Sequence, residues 1–202
     1  MLVGLDVGPG NYAPVVDDVG RSIPGRAAWM AQQDLLFPWL TALENVALGA
    51  RLRHQPPDRE RALALLSQVG LTGHERQLPA TLSGGMRQRV ALARTLMEDR
   101  PVVVLDEPFA AVDAITRSEL QELAFELLHD RTVLLITHDP QEALRLADRV
   151  NVLSGTPASL ISLPLPEEPP LRRLDEPEVA HAQAELLRLL AGGGGATGEV
   201  RR

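Results

Sequence analysis

Two adjacent carboxylates follow a short aliphatic run, and they are the first candidates for chemistry in this chain. The run from Val102 to Leu105 leads directly into Asp106 and Glu107. Such a run is typical of a strand in a parallel sheet, and the residues after it lie at the sheet edge where open α/β proteins bind ligands. Asp106 could hold Mg²⁺ through water, and Glu107 could polarise an attacking water. A solvated acidic turn is the alternative interpretation.

Two consecutive glycines lie where a helix is expected to begin. Ser83 is a capping residue type, and Gly84 and Gly85 follow it directly. Glycines at a helix start let main-chain N–H groups approach an anion closely, and the helix dipole adds to the attraction. An ordinary Ser-capped helix would explain Ser83, but not two glycines that each cost a helix about 1 kcal/mol.

A histidine ends a further aliphatic segment. Thr132 to Ile136 predicts a strand, and Thr137 and His138 follow it. Histidine can act as an acid or a base near neutral pH, and it can also donate a hydrogen bond to a phosphate. The pattern leaves open which role dominates. The other four histidines are interpreted as structural or exposed, namely His54, His74, His129 and His181.

Aliphatic runs and helical patterns alternate along the chain and predict an α/β fold. The predicted strands are Ala27 to Ala31, Val102 to Leu105, Val133 to Ile136 and Val150 to Leu153, all expected to be covered on both faces. The predicted helices run from Thr41 toward Arg53, from Asp58 to Val69, from Ser83 to about Met97, from Ile115 to Leu128, and onward from Asp139. Because no strand interrupts residues 41–97, we expect an inserted helical subdomain there.

The last part of the chain has a different composition. We expect one domain over residues 1–154 and a proline-rich tail over residues 155–202. Frequent prolines between Gly155 and Pro170 argue against long regular structure there. Glu178 to Leu190 predicts a short amphipathic helix, and a glycine-rich, flexible end follows it.

Bulk composition excludes several classes of protein. All 20 basic residues are arginine, and against 27 acids they give a net charge of -7, which argues against nucleic-acid binding. Cysteine is absent, so no disulfide frame and no cysteine-based zinc or redox site is expected. No apolar run approaches the roughly 18 residues of a spanning helix, and the start does not resemble a signal peptide.

These groups occur in the order found in the ABC ATPases. Leu82 to Arg89 resembles their signature sequence, Val102 to Glu107 their Walker B element, and Ala111 to Asp113 their D-loop. The segment Gln32 to Thr41 resembles the Q-loop, and His138 lies where the family has its switch histidine. The chain is therefore similar to the P-loop NTPase-like ATP-binding subunits of ABC transporters. Its Leu-Phe-Pro-Trp-Leu-Thr run resembles importers for nitrate, sulfonate, taurine or hydroxymethylpyrimidine.

The resemblance implies ATP and Mg²⁺ as cofactors and ATP hydrolysis coupled to transport. It implies that Asp106 and Gln32 serve Mg²⁺, that Glu107 positions the water, and that His138 contacts the γ-phosphate. Gln33 leaves the choice of Q-loop glutamine ambiguous. Ser83, Gly84 and Gly85 would contact ATP bound by a second subunit, and Asp113 would lie at the dimer interface.

The resemblance also implies partners. Phe37, Pro38 and Trp39 would face transmembrane permease subunits, although simple core packing is the alternative for these three residues. The implied location is the cytoplasmic face of the inner (plasma) membrane, as a peripheral subunit. The transported solute cannot be read from this chain.

One part of the family pattern has no match. The phosphate loop, Gly-x-x-x-x-Gly-Lys-Ser/Thr, is absent, the sequence contains no lysine, and Gly4, Gly8 and Gly10 do not replace it. One interpretation is an N-terminally incomplete copy of a longer protein. The alternative is a degenerate, non-catalytic partner subunit that donates only the signature motif. On either interpretation, hydrolysis by the isolated chain is doubtful, because Glu107 and His138 lack a phosphate loop in their own subunit.

Overall fold

The computed structural model describes Val16 and residues 20–23, 25–110, 112–155 and 159–193. The chain divides into two compact units, Met1–Ile136 and Thr137–Arg202. The glycines of the first ten residues, Ala111 of the D-loop segment and the predicted flexible end after residue 193 lie outside the described residues.

A three-stranded parallel sheet organises the first unit. Its strands are β1 (Ala27–Met30), β2 (Val102–Asp106) and β3 (Thr132–Ile136), in the order β1-β2-β3. Met30 pairs with Leu105, and Leu105 pairs with Leu135. The parallel strands with helices between them confirm the predicted α/β class.

The strands differ in their burial. The centre of β2 is buried, as expected for an uninterrupted aliphatic run. The prediction of cover on both faces is wrong for β3, where Leu134 and Ile136 are each 46% exposed. Val133, which points to the opposite face from Leu134, is also 40% exposed, so both faces of β3 are partly open to solvent.

Helices alone fill the chain between β1 and β2. They are α1 (Ala42–Val46), α2 (Leu48–Leu52), α3 (Arg59–Gln68), a 3₁₀ turn (Pro79–Thr81) and α4 (Gly84–Met97). A capping box is present at Thr41, with the Thr41 N–H donating to Glu44 Oε2 at 2.9 Å. Asp58 caps α3, and Ser83, a capping residue type in the sequence, caps α4.

The single helix predicted from Thr41 toward Arg53 is wrong, because the chain breaks at Ala47. A Cβ at Gly49 would lie 1.8 Å from Glu98 Oε1, so a larger residue in α2 would have to displace the Glu98 side chain at the end of α4. The Glu98 carboxylate also forms a 2.6 Å ion pair with Arg53, the residue that follows α2.

Helix α5 (Ala114–Leu128) follows β2 and leads to β3. It begins one position before the predicted start at Ile115, and Asp113 is its N-cap residue. Leu120, Ala124 and Leu128 are buried along one face of α5.

The second unit contains α6 (Pro140–Leu146), β4 (Val150–Ser154), β5 (Ser159–Leu163) and α7 (Pro177–Gly193). Asp139 caps α6 with Pro140 in its first turn, as predicted. Seven side chains from these four elements form one apolar cluster, namely Leu144, Val150, Val152, Leu163, Val179, Ala182 and Leu186.

Two predictions about this region are wrong. β4 was expected among buried parallel strands, but it pairs antiparallel with β5 and alternates buried and exposed positions. β5 lies in the stretch that was expected to lack regular structure, where a five-residue segment without apolar–polar alternation gives little strand signal among the prolines. Helix α7 is longer than the predicted Glu178 to Leu190. The predicted domain boundary at residue 154 falls between the two strands of this ribbon.

Within the described residues, no helix combines the length and the apolar character needed to cross a bilayer.

A buried amide holds the turn before α1. Asn45 Oδ1 accepts the Phe37 N–H at 2.8 Å, and Asn45 Nδ2 donates to the carbonyls of Leu40 and Thr41, each at 3.0 Å. We expect Asn45→Ala to lower the free energy of unfolding by about 3 kcal/mol, because buried backbone groups lose their partners. Urea unfolding measures this. Thr41→Ala removes only a cap and should cost about 1 kcal/mol; an equal loss in the two variants would contradict the structural role of Asn45.

Candidate functional site

Gln32 and Glu107 meet at the carboxyl edge of the parallel sheet. Gln32 follows β1, Glu107 follows β2, and Gln32 Nε2 lies 3.2 Å from Glu107 Oε2. This contact brings the Q-loop glutamine to the second Walker B acid, and it favours Gln32 over Gln33 for that role. Asp106 is the last residue of β2, half-buried, and in register with Ile136.

The backbone of Glu107 is held in an unusual conformation. Its φ is 45°, in the left-handed region that residues with a Cβ avoid. Its N–H donates to the Ile136 carbonyl at 2.8 Å, so the hydrogen-bonding pattern with β3 continues past the end of the strand. Strain of this kind is found at functional sites, where the surrounding structure fixes it. Here the strained residue is the one that the family resemblance predicts to position the water.

The donor set at this edge fits Mg²⁺. Gln32 directs its amide nitrogen to Glu107, which leaves its Oε1 as a possible ligand beside the Asp106 carboxylate. Mg²⁺ usually takes one or two carboxylates and fills its shell with water and phosphate oxygens. Accordingly, the described residues contain no group of three or more His, Cys, Asp or Glu side chains arranged to hold a metal without such help.

Helix α4 begins with the two glycines of the signature sequence. Ser83 Oγ accepts the Met86 N–H at 3.2 Å, so the serine caps its own helix while keeping a hydroxyl hydrogen to donate. The N–H groups of Gly84 and Gly85 lie in the first turn, where a helix offers them no carbonyl. The Ser83 hydroxyl and these two N–H groups are three donors that together could bind an anionic oxygen.

Thr116 links the signature turn to the D-loop. A Cβ on Gly85 would lie 2.5 Å from the Thr116 methyl group, so glycine is required for this approach. The Thr116 hydroxyl donates to Asp113 Oδ2 at 2.7 Å, and the Thr116 N–H donates to Asp113 Oδ1 at 3.1 Å. The start of α4 is thereby packed against the start of α5.

These hydrogen bonds also set the charge of Asp113. The Thr116 hydroxyl, followed by the Thr116 backbone N–H, lowers the pKa of Asp113 from its ordinary value. A carboxyl with a lowered pKa in the folded state stabilises the fold above its unfolded-state pKa, and that contribution is lost as the pH falls. Asp113 is therefore ionised at neutral pH.

His138 belongs to the second unit and is exposed. It lies between β3 and the N-cap residue of α6, Asp139. Its role toward a γ-phosphate rests on its place in the sequence and stays a prediction.

The aromatic residues of the Q-loop segment form a small surface feature. The rings of Phe37 and Trp39 are 5.2 Å apart, and Trp39 is 70% exposed. An exposed tryptophan is not core, so the core alternative fails for Trp39. Contact with a permease remains a prediction for Phe37, Pro38 and Trp39.

Known proteins match this chain in the segment that carries the site. A model of the ABC transporter family matches residues 11–110. An ABC transporter ATP-binding protein of Haemophilus influenzae, named as uncharacterized, is 47% identical over 83% of this chain and 72% of its own length. This chain belongs to the ATP-binding subunits of ABC transporters.

Other relatives narrow the type of transporter. An aliphatic sulfonates import ATP-binding protein of Rhodococcus jostii is 48% identical over 86% of this chain and 69% of its own length. A protein of the same name from Pseudomonas syringae pv. syringae is 44% identical over 83% of this chain and 70% of its own length. The chain is thus an ATP-binding subunit of the importer type, and membership of this family implies ATP hydrolysis coupled to transport.

A solved structure confirms the fold prediction. A dimeric ATP-binding cassette in a post-hydrolysis state, bound to ADP and Pi, matches with a TM-score of 0.52 and 35% identity. The match covers 59% of this ABC subunit and 55% of that chain. The P-loop NTPase fold of the ABC ATPases is therefore shared.

Sequence patterns missed the residues that hold the site together. Thr116, Asp34 and Arg94 carry no motif signal of their own, and their contacts join segments far apart in the chain. Arg94 alone offered a weak signal, as a charged residue within the mostly buried second half of α4.

The contact between Gly85 and Thr116 gives a testable coupling. Gly85→Ala should lower the free energy of unfolding by about 1–2 kcal/mol, because the new methyl group overlaps Thr116 Cγ2. In a Thr116→Ser background, which removes Cγ2, Gly85→Ala should be neutral or stabilising. Thr116→Val keeps Cγ2 and should give no relief. Chemical denaturation gives the free energy of unfolding of the unmodified chain, the three single variants and the two double variants. If Gly85→Ala costs as much in the Thr116→Ser background as in the unmodified chain, the contact is refuted.

The positive φ of Glu107 gives a second test. Both Glu107→Gly and Glu107→Ala remove the carboxylate, but only glycine removes the backbone strain. We expect the glycine variant to be more stable than the alanine variant by about 1 kcal/mol in urea unfolding.

Glu119, exposed within α5, is the matched control. At this position the order should reverse, and the Glu119→Gly variant should be less stable than the Glu119→Ala variant by about 1 kcal/mol. The same order at both positions would show that Glu107 is not strained.

Proposed function

We propose that this importer subunit works in a pair, in which the signature turn of one chain contacts ATP bound by the other. The observation that carries the proposal is the 3.2 Å contact between Gln32 and Glu107 at the end of the parallel strands. This contact places an amide and a carboxylate together at the carboxyl edge of the sheet, where they could bind Mg²⁺, water and phosphate oxygens. The glycine start of α4 provides the second, anion-binding surface.

Each side chain then has a defined task. Glu107 accepts a hydrogen bond from the attacking water and orients it, while Gln32 fixes the carboxylate from the other side. Asp106 and Gln32 Oε1 would hold Mg²⁺, and the ion would neutralise charge at the phosphates. Asp113 lies at the pairing surface, and His138 donates a hydrogen bond to the γ-phosphate.

The signature turn supplies three donors to a neighbouring nucleotide. The Ser83 hydroxyl and the N–H groups of Gly84 and Gly85 would bind γ-phosphate oxygens, and the dipole of α4 would favour the negative charge. The ATP contacted by this turn would be the one bound by the partner subunit.

The partners and the solute follow from the importer type. Transmembrane permease subunits would contact Phe37, Pro38 and the exposed Trp39 at the cytoplasmic face of the inner membrane. Aliphatic sulfonates are the proposed solute class, supported by the names of relatives such as the aliphatic sulfonates import ATP-binding protein of Rhodococcus jostii.

Pairing with an intact relative tests the signature turn. The 202-residue chain would be mixed with the Rhodococcus jostii protein, in which the Walker B glutamate is changed to glutamine so that ATP persists. We expect Mg²⁺-ATP to induce a heterodimer, detected by analytical ultracentrifugation with one chain labelled. Ser83→Asp should abolish the heterodimer, because aspartate keeps the helix cap but places a negative charge against the γ-phosphate.

Ser67→Asp is the matched control, since it adds the same charge at an exposed serine of α3. It should leave the ATP-induced heterodimer unchanged. Equal heterodimer formation by Ser83→Asp would remove the signature turn from the nucleotide site. No ATP-dependent association of the unmodified chain would contradict the paired arrangement.

A further inference from the structure

The signature helix is tied to the Q-loop by a forked contact from Arg94. Its Nη1 donates to the Leu35 carbonyl at 2.9 Å, and its Nη2 donates to the Asp34 carbonyl at 2.6 Å. One guanidinium thus fixes two consecutive carbonyl groups. Its planar, rigid arrangement of donors suits such a pair, which a lysine ammonium cannot span in the same way.

Two neighbouring side chains of α4 reinforce this tie. Arg87, two helical turns before Arg94 on the same face, donates from Nε to Asp34 Oδ2 at 2.9 Å. The buried Gln88 donates from Nε2 to the Gln32 carbonyl at 3.3 Å. Consequently α4 holds the backbone of residues 32, 34 and 35, and it holds the Asp34 side chain as well.

The segment needs this external support because its backbone is strained. Leu35 has a φ of 46°, where its Cβ crowds the following carbonyl, and its side chain is 53% exposed. Packing of the leucine therefore does not hold the conformation. Two contacts hold this conformation instead. The Leu36 N–H donates to Asp34 Oδ1 at 3.1 Å, and Arg94 donates to the Leu35 carbonyl.

Arg94 keeps its charge in this position. Burial lowers the pKa of the guanidinium, and the nearby Asp34 carboxylate raises it in part. Hydrogen bonds from a charged donor are shorter and stronger than those between neutral groups, so the fork is a firm constraint on the two carbonyl groups.

We propose that Arg94 is a positioning residue for Gln32: its fork fixes the backbone just after Gln32 and so sets the glutamine amide against Glu107. The importance of this geometry for hydrolysis rests on the proposed function. The test below is carried out without adding nucleotide, so its outcome is separate from that of ATP-induced pairing.

The test uses the Gln32 side-chain amide as a spectroscopic reporter. In the ¹⁵N-labelled full chain, Gln32→Ala assigns the resonance, and Glu107→Gln should then shift it in otherwise unmodified protein. In an Arg94→Met background, we expect that Glu107-dependent shift to fall by at least half. Arg94→Lys keeps the charge but not the fork, and it should also lose at least half of the shift.

Arg61→Met is the matched control. Arg61 also donates to a backbone carbonyl, that of Leu96 at 3.2 Å, and pairs with Asp99, but it does not bond to the Q-loop segment. In the Arg61→Met background, Glu107→Gln should shift the Gln32 amide resonance as much as it does in the unmodified chain. If Arg94→Met fails to fold, as judged by circular dichroism, Arg94→Lys decides the outcome.

Three results would overturn the proposal. They are an undiminished Gln32 response in a folded Arg94 variant, an equal loss in Arg61→Met, and no response to Glu107→Gln in the unmodified chain. None of them depends on the heterodimer experiment, so a failure of this inference and a failure of the proposed function can be told apart.

Discussion

The parallel pairing of β1 with β2 is the constraint on which the site depends. Because Met30 is in register with Leu105, the residues that follow the two strands emerge at the same edge of the sheet. Gln32 and Glu107 are 75 positions apart in the chain, yet their side chains lie 3.2 Å apart. A shift of register by one residue would turn each side chain to the opposite face and separate them.

Helix α4 connects this edge to the signature turn. Its first turn carries Ser83 and the two glycines, its middle carries Gln88, and its last turn carries Arg94. The same helix thus carries the proposed nucleotide donors and holds the Q-loop backbone through Arg87, Gln88 and Arg94. Thr116 packs against the start of this helix and bonds Asp113 of the D-loop. On the proposed function, α4 would carry a displacement of the signature turn to Gln32 and Glu107.

Local patterns were enough to predict the elements that place these groups. The aliphatic run before Asp106, the capping residues Thr41 and Asp58, and the Ser-Gly-Gly start of α4 all rely on interactions within a few residues. β5 was missed because five residues without apolar–polar alternation carry a weak strand signal among prolines. The break at Ala47 was missed because the sequence has no proline or other local helix breaker at that position. Arg94 and Thr116 were missed because only tertiary structure brings their partners near.

The central claim is that the glycine start of α4 binds a γ-phosphate held by another subunit. A crystal structure of this chain paired with an ATP-loaded, hydrolysis-deficient relative would measure it directly, as the distance from the Gly85 nitrogen to the nearest γ-phosphate oxygen. The account predicts a hydrogen bond of about 3 Å. A pair assembled through another face, with that nitrogen beyond contact of the nucleotide, would contradict it.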